Sequence, residues 1–165
     1  MAVYLFTFHA YRSWMPDHRR GYVRRGRGIL NPDQAMAANY RRRARFEAVR
    51  FDDHDCQTLL DAAQTLCQSP ARAGWRLHTG VAVFNHVHLL VSWRGYVAAQ
   101  RAKAALHRAL TVELRDAHDA PPGRPWLARN GSIKRITTRR HFEHLLHTYL
   151  PSHRKYGGAL LIPPA

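Results

Sequence analysis

Apolar and polar positions alternate along VYLFTFHAY (residues 3–11), a run rich in β-branched and aromatic residues that predicts an opening strand. The period then disappears. RSWMPDHRRGYVRRGRGILNP carries Pro, Gly and Arg without repeat, and predicts a long basic loop of the kind that is functional or disordered in compact domains. Pro32 and Asp33 resemble a helix start, so a short helix is expected over 33–45. FEAVRF (46–51) alternates as a short strand. Asp53 or Asp55 would cap a helix running to about Gln68, with Leu59, Leu60, Ala63 and Leu66 on its apolar face. Residues 74–83 and 85–93 read as two strands meeting near Phe84. A helix follows over 97–118, its apolar face assigned to Ala104, Ala105, Leu110, Val112 and Leu114. SIKRI (132–136) is a short strand, and a final helix starts near Thr138 with Phe142, Leu145, Leu146 and Tyr149 at helical spacing.

This order predicts an α+β, ferredoxin-like fold: a central antiparallel sheet of about four strands with helices packed on one face. At 165 residues the chain reads as a single domain, 1–165, long enough to bury a core without staples. Charge changes the picture most. There are 26 Lys and Arg against 11 Asp and Glu, a formal charge of +15 that points to a polyanionic partner, nucleic acid before all others. Lysine appears only at 103, 134 and 155, so arginine, suited to phosphate forks and base stacking, carries the excess. Cys56 and Cys67 form no zinc pattern and are expected to be reduced and buried. No signal-peptide pattern opens the chain and no apolar run approaches a membrane span, so a cytoplasmic, nucleoid-associated protein with no membrane partner is expected.

The stretch FNHVHLLVSW (84–93) carries candidate chemistry. Side chains two apart on a strand share a face, so His86 and His88 stand side by side, about 7 Å apart at Cα. Two neutral imidazoles can converge on one divalent ion, and imidazole suits transition metals better than bare magnesium. A third ligand is needed, and HLLHTYLPSHRKYGG offers His144, His147 and His153. Tyr149 and His153, four apart, would share one helix face about 6 Å apart along the axis. A phenol beside a metal-bound phosphate can act as a nucleophile and form a phosphotyrosine. Against this, a Tyr on an amphipathic helix is usually a core or boundary residue.

NHVHLLV resembles the His-hydrophobic-His motif of the single-tyrosine transposases, which include the REP-associated tyrosine transposases. TFHAYRSWMPDHRRGYV (7–23) is similar to their first strand and its following loop, and RPWLARNGSIKRI (124–136) to the segment before their catalytic helix. The resemblance implies a domain that cuts and rejoins single-stranded DNA, often at hairpin-bearing ends, with a divalent ion (Mg or Mn) as cofactor. It implies His86 and His88 as metal ligands, His153 as a third, and Tyr149 as the nucleophile that leaves a 5′-phosphotyrosine and a free 3′-hydroxyl. It also implies a homodimer, and in many members the tyrosine helix of one copy serves the histidines of the other. Two departures stand out. Pro151 interrupts the tyrosine helix, which either kinks there or restarts with Pro151 at its first position; in the second case the four-residue spacing of Tyr149 and His153 loses its basis and Tyr156 becomes a rival nucleophile. Val83 occupies the position where some members keep a carboxylate.

The basic residues form three groups of candidate DNA contacts. Arg12, Arg19, Arg20, Arg24, Arg25 and Arg27 flank the aromatic Trp14 and Tyr22, a mixture that suits a single strand. Arg41, Arg42 and Arg43 would track phosphates. Lys134, Arg135, Arg139 and Arg140 precede the tyrosine helix and would hold the strand near the cut. Competing readings are a replication initiator or relaxase, a noncatalytic or host-retained single-stranded nucleic-acid-binding protein of the same fold, and a basic structural protein of ribosomal kind.

Overall fold

A computed structural model of the protein describes residues 2–24, 27–120, 123–129 and 131–162. Its centre is a five-stranded antiparallel sheet whose strands lie in the spatial order 132–136, 2–9, 86–93, 76–83 and 159–161. The strands are β1 (Ala2–His9), β4 (Arg76–Val83), β5 (His86–Trp93), β6 (Ser132–Ile136) and β7 (Ala159–Leu161). The long β1–β5 ladder sets the frame, with Leu5 opposite Leu90, Thr7 opposite His88 and His9 opposite His86.

Alternation along these strands sends two sets of apolar side chains to opposite faces. Phe6 and Phe8 of β1 and Val87, Leu89, Val91 and Trp93 of β5 join the larger core, with α2 (Asp53–Gln68) and α3 (Ala99–Ala117). Helix α2 opens on a capping box in which Asp52, one residue before the first expected cap, is the N-cap and Asp55 is the returning partner. Helix α3 buries Ala102, Leu106, Leu110 and Leu114 at a strict four-residue spacing, whereas Ala104 is exposed. The expected face was therefore rotated: small alanines satisfy either face, and only the leucines fix it.

Leu5, Val81, Val83, Leu90 and Ile136 point the other way and pack against Leu145 and Leu150 of the C-terminal segment. That segment is α4 (Arg139–His144), a π turn over Leu145–Tyr149 and a 3-10 turn over Pro151–Tyr156. Helical structure thus covers both faces, not the one face expected, because the central strands are apolar on both sides and each side must be shielded. The fifth strand, β7, also went unread. Three residues carry no usable period, and β7 reaches the sheet through Gly158, whose φ of +83° and approach to the Ala82 carbonyl leave no room for a Cβ.

The early insertion holds α1 (Gln34–Arg43), capped by Asp33, and a separate two-stranded hairpin of β2 (Tyr22–Arg24) and β3 (Gly28–Leu30). Residues 46–51 are not a strand. They are held by single backbone bonds, Val49 N–H to Tyr11 at 2.9 Å and Phe51 N–H to Phe84 at 2.9 Å, with Val49 and Phe51 buried. Burial rather than strand pairing produced that alternation. Cys56 and Cys67 are free and buried, and burial pushes both thiols up to about 12, which keeps them protonated and inert. Among the described residues no helix is long and apolar enough to cross a membrane.

Candidate metal and nucleophile site

The site lies on the sheet face that the C-terminal segment covers. The β4–β5 turn at Phe84 and Asn85 is fixed from outside, since the Asn85 carbonyl accepts from Ala10 N–H at 2.9 Å and Ser13 Oγ at 3.1 Å. His86 and His88 follow on one face as strand periodicity requires, their ring centroids 4.6 Å apart. His153 closes the group at 5.0 Å from His88 and 5.5 Å from His86. One ring nitrogen of each lies within 4.8 Å of those of the other two.

Each ring has its Nδ1 occupied by the protein. The His86 Nδ1–H donates to Asn85 Oδ1 at 2.6 Å, and the His153 Nδ1–H donates to the Tyr149 carbonyl at 2.9 Å. His88 Nδ1 shares a 2.7 Å hydrogen bond with the buried Thr7 Oγ1. Among the described residues no hydrogen bond engages the Nε2 of any of the three, and partners on Nδ1 are the pattern that orients metal-binding imidazoles. Burial, followed by the neighbouring imidazoles, lowers His86 to about 4 and His88 to about 3. Both are therefore neutral at physiological pH, the form that can ligate. The donor set fits a divalent transition ion, and no carboxylate joins the group among the described residues. Val83, paired with His86 across the ladder, offers no ligand.

Pro151 shapes the position of Tyr149, the candidate nucleophile. An α-helix continuing from α4 would need a residue-151 N–H for the His147 carbonyl, and proline has none. The chain instead closes a wide turn, Leu150 N–H to the Leu145 carbonyl at 3.1 Å, and restarts as a 3-10 turn with Pro151 at its first position. The extra residue in that turn changes which side chain faces the core. Leu150 is fully buried, and Tyr149, which regular spacing would place beside Leu145, stands 38% exposed at the site. Its ring lies 5.8 Å from His88 and 4.8 Å from His153. The proline thus removes the regular helix without separating Tyr149 from His153, because the His153-to-Tyr149 carbonyl bond still ties them. Tyr156 is 56% exposed, and its ring lies 6.4 Å from that of His153.

The basic candidates divide. Arg19, Arg20, Arg24, Arg27, Arg42, Arg43 and Arg140 are exposed. Arg12 is committed to the fold, donating to the Phe46 carbonyl at 2.8 Å, while Arg41 pairs with Asp17 and Arg139 with Glu143. Lys134 and Arg135 are adjacent on β6 and so face opposite sides; only Lys134, opposite Leu5, lies on the histidine face. Arg25 lies outside the described residues. His144 and His147 stay out of the cluster. Sequence reading missed Thr7, His9 and Asn85, which support or flank the histidines. Alternation from Leu5 through His9 was visible, but the register that sets Thr7 and His9 against His88 and His86 was not.

No family model and no curated protein matches this sequence. Among solved structures, a REP-associated tyrosine transposase bound to a REP hairpin shares the fold, with a TM-score of 0.50 and 11% identity over 96% of this chain and 70% of that one.

Proposed function

We propose that the protein is a metal-dependent single-stranded DNA strand transferase of the tyrosine transposase kind, acting at hairpin-bearing ends. The observation that carries this reading is a solvent-reachable phenol, Tyr149, beside three clustered imidazoles, each offering one ring nitrogen within 4.8 Å of the others. His86, His88 and His153 would hold a divalent ion, Mn²⁺ in preference to Mg²⁺ given an all-imidazole set. When bound, the ion supplies charge neutralisation at a phosphate and at a departing oxygen. Tyr149 Oη attacks the scissile phosphorus, forming the P–Oη bond as the P–O3′ bond breaks. The phenolic proton passes to solvent and the leaving 3′-oxygen takes one up, giving a 5′-phosphotyrosine and a free 3′-hydroxyl. A second strand's 3′-hydroxyl can reverse the step and complete transfer.

The charge of +15 supports a DNA partner, with the exposed Arg19, Arg20, Arg24, Arg27, Arg42, Arg43, Lys134 and Arg140 as phosphate contacts. The proposal covers one domain, working as a homodimer in the cytoplasm at the nucleoid. Tyr149 and the histidines meet within one chain, so each copy would carry a whole site. The test is incubation with single-stranded DNA hairpins and Mn²⁺, followed by a denaturing gel. A covalent protein–DNA band that needs metal and disappears in Tyr149→Phe and His88→Ala is expected. Tight binding with no band in wild type would replace this reading with the noncatalytic DNA-binding protein.

A further inference from the structure

Beyond the histidine cluster, a row of rings continues across the same face. His9, opposite His86 in the ladder, has its ring 5.9 Å from His86 and 5.7 Å from Trp14. Trp14 stacks on His18 at 4.0 Å and 23°. Unlike the other tryptophans, Trp14 is counted among the exposed side chains, at 39%. Yet the pair is rigidly held. The Trp14 Nε1–H donates to the Gly21 carbonyl at 3.0 Å, and His18 Nδ1 accepts the Arg20 N–H at 3.2 Å. The turn beneath closes with Gly21 N–H to the His18 carbonyl at 2.7 Å, and needs glycine at 21, where φ is +77° and a Cβ would meet the Leu30 carbonyl.

This order is maintained at a cost. Arg12, at the root of the segment, has φ of +60°, and Arg12 Nε and His9 Nδ1 are two buried nitrogens without a hydrogen-bond partner. An aromatic pair fixed at the surface, on a strained base, adds little to either core. Exposed Arg19 and Arg20 adjoin it, and the nearby carboxylate of Asp17 is paired with Arg41.

We infer that Trp14 and His18 form a stacking subsite for one unpaired nucleobase, within about two nucleotides of the phosphate at the three-histidine site. The inference rests on the proposed function for its ligand class and refines it by locating one base. Stacking accepts any base, so the subsite fixes the strand's position without reading its sequence. The preset geometry lowers the ordering cost of a flexible strand.

The test uses binding rather than cleavage. Oligo(dT) and a hairpin with a short single-stranded tail are titrated against wild type, Trp14→Phe and Trp14→Ala while tryptophan fluorescence is followed without metal. Wild-type fluorescence should be quenched, with the quench absent in Trp14→Phe. Trp14→Ala should weaken binding roughly 10-fold, as loss of one base–aromatic stack does, and Trp14→Phe should retain most affinity. A single abasic site is then moved along the tail. At one position, within two nucleotides of the mapped cut, Trp14→Ala should cause no further loss, the signature of a shared contact. Equal loss at every abasic position, or no quench, overturns the subsite. If wild type forms no covalent adduct but the coupled position persists at the hairpin base, the strand-transfer reading falls and the stacking subsite stands.

Discussion

The two faces of the sheet use the same strands and follow different rules. On the α2–α3 face the apolar period, the capping box and the buried leucines at four-residue spacing all agree. On the opposite face, the rings of His9, His78, His86 and His88 and the hydroxyl of Thr7 interrupt the apolar pattern, and the covering helix breaks into a π turn and a 3-10 turn. Local consistency marks where a chain is built only to fold; its departures mark where something else was selected. The departures here are not scattered. The π turn, the proline, the neutral histidines and the exposed tyrosine all converge on one place.

The sharpest separation of the faces is chemical. Tyr149→Phe and His88→Ala should abolish adduct formation on a denaturing gel while leaving the urea midpoint close to wild type for the tyrosine variant. Leu110→Ala on the opposite face should do the reverse. It should cost about 2–5 kcal/mol by urea titration, as a buried leucine truncation does, with adduct chemistry intact in the protein that stays folded.

Pro151→Ala tests the π turn directly. Restoring the backbone N–H allows a regular helix, which would return Tyr149 toward the core and move Leu150 out. Adduct formation should fall about 10- to 100-fold, in the range that misplacing a reacting group costs, with little change in the urea midpoint. Unchanged activity would show that the wide turn has another cause.

Acid should act on the histidine face. His86, His88 and His78, the last lowered to about 4 by burial and by Arg76, bind protons less readily folded than unfolded. Below the unfolded value near 6.5 the unfolded chain takes up more protons, so stability is lost as pH falls from about 6.5 toward 4. Metal-free protein should show a urea midpoint that declines across that window, and His78→Gln should flatten part of the decline. A flat profile would mean these rings are not buried neutral. The smallest effect belongs to the surface: Arg42→Ala should weaken single-stranded DNA binding slightly and reduce the salt slope by about 0.7, one phosphate contact.

Much of this was legible in the sequence. The strand period made His86 and His88 neighbours, and the order of elements gave the ferredoxin-like α+β class. The strand count was low by one because β7 is three residues long. The single-face expectation failed because Leu90 and Val81 were not recognised as belonging to a second core. Tyr149 was placed on a helical stripe with Phe142 and Leu145, since a π turn leaves no periodic signature and only the proline hinted at it. Trp14 was legible as a DNA-contact candidate, but Thr7, His9 and the stacking of His18 on Trp14 depend on cross-strand register and loop path, which local pattern does not determine.

The central claim is that Tyr149 and the three histidines form one reactive site. Its most direct test is to trap the covalent adduct on a hairpin oligonucleotide with Mn²⁺, digest it, and identify the DNA-linked peptide by mass spectrometry. Linkage at Tyr149, lost when His153 is replaced by Ala, is the result predicted. Linkage at Tyr156, or at any residue outside the C-terminal turn, would contradict the account.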